Sequence, residues 1–200
     1  MNTATKITIS RIVISIIIII LLLFPFNLVG LNMPTYLYKG ILIELKYVIS
    51  AILYLIAVIT DIVDGYIARK KNQITTIGKL LDSIADKMLL YSTLIILASR
   101  GFISPVIPII VIASDSIIEG IKMGILSKGK VVPSLKINKL RDMAMAFGIV
   151  LAMIYNLPFE LYNIHLDAFL IYFGTIMWVF AFIDYYRANI DLIKPSAEDE

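Results

Sequence analysis

The chain has 200 residues, 60% of them hydrophobic and 16% charged, with a formal net charge of +3. A soluble domain carries about 45–50% apolar and about 25% charged residues, so this chain has too little polar surface to cover itself in water and is expected to be an integral membrane protein. It has no cysteine and a single histidine, His165, which excludes disulfides, a thiolate nucleophile and a zinc set of the His/Cys type; any metal would be held by oxygen.

Met1 to Arg11 is polar with interspersed isoleucines and suits either a short interfacial helix or a loose lead-in to the first span. From Ile12 to Phe24 only Ser15 is not apolar, and Ile12 to Leu31 supplies the roughly 20 residues a bilayer-crossing helix needs. Phe24-Pro25-Phe26-Asn27 is a poor cleavage site, so a retained helix is expected rather than a signal peptide. Asn32 to Gly40 reads as a loop. Further apolar segments run over about Ile41–Thr60, Ile84–Ala98, Ile103–Ile121 (interrupted by Asp115 and Glu119), Ala144–Tyr155 and Ala168–Ile183. The expectation is an all-α integral membrane protein of six transmembrane helices. It would be one domain over residues 1–200, with a juxtamembrane segment at 1–11 and a polar tail at 185–200.

Six spans put both termini on one side, and lysine and arginine decide which. One set of loops holds Lys6, Arg11, Arg69, Lys70, Lys71, Lys79, Lys122, Lys128, Lys130, Lys136, Lys139, Arg141, Arg187 and Lys194, the other only Lys39, Lys46 and Arg100. Both termini and the stretch from Asp61 to Asp86 are therefore expected to face the cytoplasm from the cell membrane.

That stretch carries the chemistry. Asp61 and Asp64 are three residues apart and share a helical face, with Gly65 and Ala68 beside them; Asp82 and Asp86 are four apart and share a face of the next helix. The short connection between them, with Asn72, Thr75, Thr76 and Gly78, favours an antiparallel helix pair with four carboxylates facing each other. Four such charges need cationic partners or divalent cations, and oxygen-only ligands suit magnesium, manganese or calcium. A guanidinium such as Arg69 pairs well with phosphate. Singly, each residue has an ordinary explanation: a solvated helix end, a turn glycine, a positive-inside anchor. Jointly, four ionisable residues at fixed helical spacings beside apolar segments point to function.

Asp61, Asp64, Gly65, Ala68, Arg69, Gly78, Asp82 and Asp86 fill the pattern D-x2-D-G-x2-A-R-x8-G-x3-D-x3-D, which resembles the signature of the CDP-alcohol phosphotransferases. The opening Lys6-Ile7-Thr8-Ile9-Ser10-Arg11 also resembles the start of one branch of that family. The resemblance implies displacement of CMP from a CDP-linked lipid by an alcohol, with CDP-diacylglycerol and glycerol 3-phosphate as the substrate pair. It further implies two divalent ions, Mg2+ or Mn2+, on Asp61, Asp64, Asp82 and Asp86, with Asp86 also the general base. Asp61, Gly65, Ala68, Arg69, Thr75 and Gly78 would bind the CDP-lipid, and Lys136, Lys139 and Arg141 are candidates for the acceptor's phosphate. A homodimer among membrane lipids, with no nucleic acid partner, is the expected setting. Departures occur at Ser83, where the family has proline, at Ala113-Ser114-Asp115, which lacks an expected arginine, and at Asn138–Asp142. The last two fall where the acceptor would bind, so inositol phosphate, inositol or serine is the alternative acceptor. A cation transporter is the alternative from another class, and it would place its acidic residues nearer the bilayer midplane on broken helices.

Overall fold

A computed structural model describes residues 3–31, 33–70, 76–127 and 137–193; the side chains of 3–7, 27, 64–70, 76, 77, 79, 127, 137, 138, 188 and 190–193 lie outside that description. The described residues are mostly helical. Six α-helices follow one another: α1 (Thr3–Leu23), α2 (Leu45–Lys70), α3 (Thr76–Ser99), α4 (Val106–Ser127), α5 (Ile137–Met153) and α6 (Leu166–Ile193).

α1 differs from the expectation at both ends. Residues 3–11 are not a separate surface helix but the first turns of α1 itself. The helix stops at Leu23, ahead of Pro25, which cannot continue it, and a short 3-10 turn, Phe26–Val29, follows. The expected loop and the start of the second apolar segment form a hairpin instead. β1 (Thr35–Tyr38) pairs antiparallel with β2 (Ile41–Glu44), Thr35 opposite Glu44 and Tyr38 opposite Ile41. Both turn residues, Lys39 and Gly40, have positive φ (47° and 88°), as a tight two-residue hairpin turn requires.

Buried positions on each helix recur every three or four residues. On α1 they are Thr8, Arg11, Ser15, Ile18 and Leu22; on α2, Tyr47, Ser50, Ala51, Tyr54 and Ala57; on α3, Ala85, Leu89, Thr93, Leu94 and Leu97. These stripes are single helix faces. The stripe of α1 is polar towards the N-terminus and apolar towards Leu22. The outward faces are equally apolar, with Ile16, Ile17 and Ile20 on α1, Ile52, Ile56 and Ile59 on α2, and Phe169, Ile176 and Phe180 on α6 all exposed. Outer surfaces as greasy as the core suit lipid rather than water. Leu45–Val63 and Leu166–Arg187 are each long and apolar enough to cross a bilayer, with only 28% of each stretch buried within the molecule.

α1 packs on both α2 and α3, α5 on both α2 and α6, and α4 on α6. The expected direct pairing of α2 with α3 is absent from the main packed pairs among the described residues; α1 lies against both instead. α5 and α6 approach closely at Gly148 and Gly174. A Cβ at Gly148 would come within 2.6 Å of Ile171 Cγ1 and 3.1 Å of the Ile171 backbone nitrogen. Gly148→Ala is therefore expected to force the two helices apart and to lower the Tm in detergent, by an overpacking cost of about 1–3 kcal/mol. An unchanged Tm would show that this contact has slack. Past α5, Asn156 is buried with a positive φ of 54°. Its amide nitrogen donates to Glu160 Oε2 (3.1 Å) and to the Ile164 carbonyl (2.7 Å), and its amide oxygen accepts from the Asp167 backbone N–H (3.3 Å). One satisfied buried side chain thus sets the entry into α6.

Candidate active site

The carboxylates stand on the packed faces of their helices. Asp61 continues the buried stripe of α2 one turn beyond Ala57, and Asp82 and Asp86 flank the buried Ala85 of α3. Ala57 and Ala85 have no bulk to hold α1 away. The side chain that fills the space between the carboxylates is Arg11. Its Nη1 lies 2.7 Å from Asp61 Oδ1, 3.0 Å from Asp82 Oδ1 and 2.5 Å from Asp86 Oδ1. One oxygen from each of these carboxylates lies within 4.8 Å of the others.

The two sides of this cluster differ in exposure. The Arg11 side chain is 0% exposed, whereas those of Asp61, Asp82 and Asp86 are 40%, 45% and 51% exposed. The guanidinium thus reaches the cluster from the protein side, while the carboxylates open outward. Guanidinium stays charged at any ordinary pH. Among the described side chains, one cation against three carboxylates leaves a surplus of negative charge if all are ionised, on hard oxygen donors. That donor set fits a divalent cation of the magnesium, manganese or calcium kind, and a positive nitrogen already stands at the point where the three oxygens converge.

The cluster is not at the helix ends, where the sequence suggested it. Asp61 lies about 13 Å along the axis from Lys70, the last residue of α2, and Asp82 about 9 Å from Thr76, the first of α3, at 1.5 Å per residue. Asp64, Gly65, Ala68 and Arg69 are on the continuation of α2, with side chains outside the described set; Asp64 keeps its helical offset of three residues from Asp61. Gly78 is in the first turn of α3. Thr75 and Lys136 lie outside the described residues.

A second polar group joins α3 to α4. The Tyr91 hydroxyl donates to Asp115 Oδ2 at 2.5 Å, and Lys87 pairs with the same oxygen at 3.3 Å and with Glu119. The partner of Asp115 and Glu119 is therefore Lys87, from the neighbouring helix; Lys122, the partner nearest in sequence, lies over the Tyr185 ring instead. Of the basic candidates for the acceptor, Lys139 is exposed near the start of α5. Arg141 is buried, its guanidinium 3.5 Å from the centroid of the Trp178 ring, and its Nε and Nη2 reach Asp142 Oδ1 at 2.9 and 2.8 Å. Arg141 is thus a fixed, stacked guanidinium rather than a loose loop charge.

A helical, lipid-suited protein with an oxygen-only acidic cluster and neighbouring fixed cations has the makings of a phosphoryl-group transferase. The chain belongs to the CDP-alcohol phosphatidyltransferase family, whose model matches residues 1–184. It is similar to the CDP-diacylglycerol–glycerol-3-phosphate 3-phosphatidyltransferase of Bacillus subtilis (strain 168), with 31% identity over 195 residues, 98% of each chain. Proteins of the same name from Rickettsia felis (29% over 135 residues, 68% of this chain and 72% of the relative) and Haemophilus influenzae (31% over 103 residues, 50% and 51%) are similar over shorter stretches.

Sequence reasoning brought out Asp61, Asp82 and Asp86 and gave Arg11 no place in the site, counting it among the basic residues of the loops and in a segment that resembles a family start. The signal was present: Thr8 and Arg11 share a helix face, and their segment resembles the opening of a family branch.

Proposed function

We propose that this chain transfers the phosphatidyl group of CDP-diacylglycerol to glycerol 3-phosphate and releases CMP. The observation that carries this reading is the convergence of Asp61, Asp82 and Asp86 on one cationic position, in a family member whose full-length relative bears that activity in its name.

In the reaction, the acceptor's hydroxyl oxygen bonds to the phosphorus that carries the diacylglycerol. The bond from that phosphorus to the CMP oxygen breaks, and CMP leaves with the electron pair. The hydroxyl proton passes to a carboxylate, and Asp86 takes that role as general base. Asp61, Asp64, Asp82 and Asp86 would hold divalent cations, Mg2+ or Mn2+, which when bound neutralise the pyrophosphate and polarise the phosphorus under attack. The remaining work is positioning. Gly65 and Ala68 leave room for the nucleotide, with Arg69, Thr75 and Gly78 at its phosphates. Arg141, held flat on Trp178 and fixed by Asp142, offers a planar donor set to the acceptor's phosphate, with Lys139 and Lys136 nearby in sequence.

In the membrane, α1 to α6 form six spans with both termini cytoplasmic, as the distribution of Lys and Arg favours. From the Leu23 end of α1, Arg11 is about 18 Å along the axis; from the Leu45 end of α2, Asp61 is about 24 Å. Against a hydrocarbon thickness of about 30 Å, the charges lie in the cytoplasmic half but short of the surface. A lipid can then keep its acyl chains in the bilayer while its pyrophosphate meets the carboxylates.

The full chain in detergent, given Mn2+ or Mg2+, CDP-diacylglycerol and glycerol 3-phosphate, is expected to release CMP, and EDTA is expected to stop it. Release only with inositol phosphate, inositol or serine would reassign the acceptor. No release with any of these alcohols would overturn the reading.

A further inference from the structure

We infer that Arg11 is an internal competitor for the metal of its own site: its guanidinium holds the carboxylates in the metal-free protein, and a divalent cation binds there only by displacing it. The inference rests on the metal-binding part of the proposed function and concerns a residue to which that reading gives no role.

Three observations support it. First, Nη1 is within 2.5 to 3.0 Å of one oxygen from each of three carboxylates. Magnesium sits about 2.0–2.1 Å from its oxygens and calcium about 2.3–2.6 Å. A cation shared by these same three oxygens would overlap the nitrogen, so the two cannot occupy that point together. Second, the approach directions are opposite. Arg11 is wholly buried and comes from α1, whereas the carboxylates are 40–51% exposed on their other side, the side from which an ion would enter. Third, the change asks nothing of the backbone. The Arg11 backbone belongs to a regular helix, its carbonyl accepting from Ser15 Oγ at 2.9 Å. An arginine can swing about its side-chain bonds towards the helix N-terminus, where the buried hydroxyl of Thr8 shares its face.

The energetics run the same way. Three carboxylates gathered by helix packing repel one another, and a buried guanidinium without carboxylates is strongly disfavoured. In the metal-free protein each solves the problem of the other. Metal binding must then break the guanidinium contacts, so the observed affinity is the intrinsic one reduced by that exchange. Such a device keeps the metal-free site assembled and limits how tightly it holds a metal.

The test uses the full chain in detergent with Mn2+ alone as the probe, free Mn2+ being followed by EPR, for the wild type, R11Q and R11K. R11Q is expected to bind Mn2+ at least about tenfold more tightly. Its metal-free Tm should fall below that of the wild type, and saturating Mn2+ should close most of the gap. R11K keeps the charge on a stem one atom shorter and without the planar fork, and is expected to bind with intermediate affinity. Equal or weaker binding by R11Q would overturn the competition. So would R11K matching the wild type while R11Q binds more tightly, because charge at a distance would then suffice. If metal-free R11Q does not fold, R11K decides alone: tighter binding supports the exchange, and equal or weaker binding overturns it. Equal affinities with CMP release intact would leave the transferase reading standing. Tighter binding by R11Q, where the wild-type chain releases no CMP with any of the alcohols, would leave the exchange standing and remove the transferase reading.

Discussion

Asp86→Asn is expected to abolish CMP release while leaving the protein folded and still able to bind the CDP-linked lipid. Asp86 is the most exposed of the three carboxylates on Arg11, so its second oxygen is the best placed to meet an incoming hydroxyl. The amide keeps the shape and one oxygen donor but cannot accept the proton. Losing a general base typically costs about 10²- to 10⁴-fold in rate. Folding should be spared, because one negative charge is removed from a cluster that has a surplus and Arg11 keeps Asp61 and Asp82 as partners. Turnover and CDP-lipid binding, measured separately, check this. A variant that retains a tenth of wild-type turnover would move the base to another residue.

Asp61→Asn is expected to act through the cation instead. Asp61 is the carboxylate that ties α2 to the cluster, at 2.7 Å from Arg11 Nη1. Neutralising it removes an anionic ligand from the proposed metal site and weakens the grip of α1 on α2 at one point. A loss of about 3 kcal/mol of transition-state stabilisation, roughly a hundredfold in rate, is the scale expected for a weakened metal site. The distinguishing sign is the metal requirement. Raising Mn2+ should restore part of the activity of Asp61→Asn and none of that of Asp86→Asn. Equal insensitivity of both variants to Mn2+ would mean that Asp61 does not act through the metal.

The parts of this molecule that could be read from the sequence are those governed by local periodicity. Asp82 and Asp86 share a face because residues four apart on a helix must, and Asp61 follows Tyr54 and Ala57 on its stripe for the same reason. The course of the chain between helices was less legible. A short connection from Lys70 to Thr76 suggested that α2 and α3 pack together, yet α1 lies against both. That choice is made by contacts over seventy residues apart in sequence, such as Arg11 with Asp82 and Asp86, which no local pattern reports. The hairpin at residues 35–44 was hidden because Ile41, Leu42 and Ile43 also fit the start of an apolar span; Lys39-Gly40 between two short alternating runs was the cue. The early end of α1 was written in Pro25, and apolar residues beyond it obscured the boundary.

The position of α1 between α2 and α3 also bears on how the protein enters the bilayer during synthesis. An unpaired charge within the hydrocarbon costs about 2.5–3.5 kcal/mol even by the mildest measures. On the proposed topology Arg11 reaches the membrane first, and the next helix to arrive brings Asp61, so α1 and α2 can enter as a pair whose buried charges offset each other. α3 then adds Asp82 and Asp86 to a cation already in place. A chain made in this order need never leave its carboxylates alone in lipid, and the arginine that gathers them before any metal arrives would first serve to bring them across the threshold of the membrane.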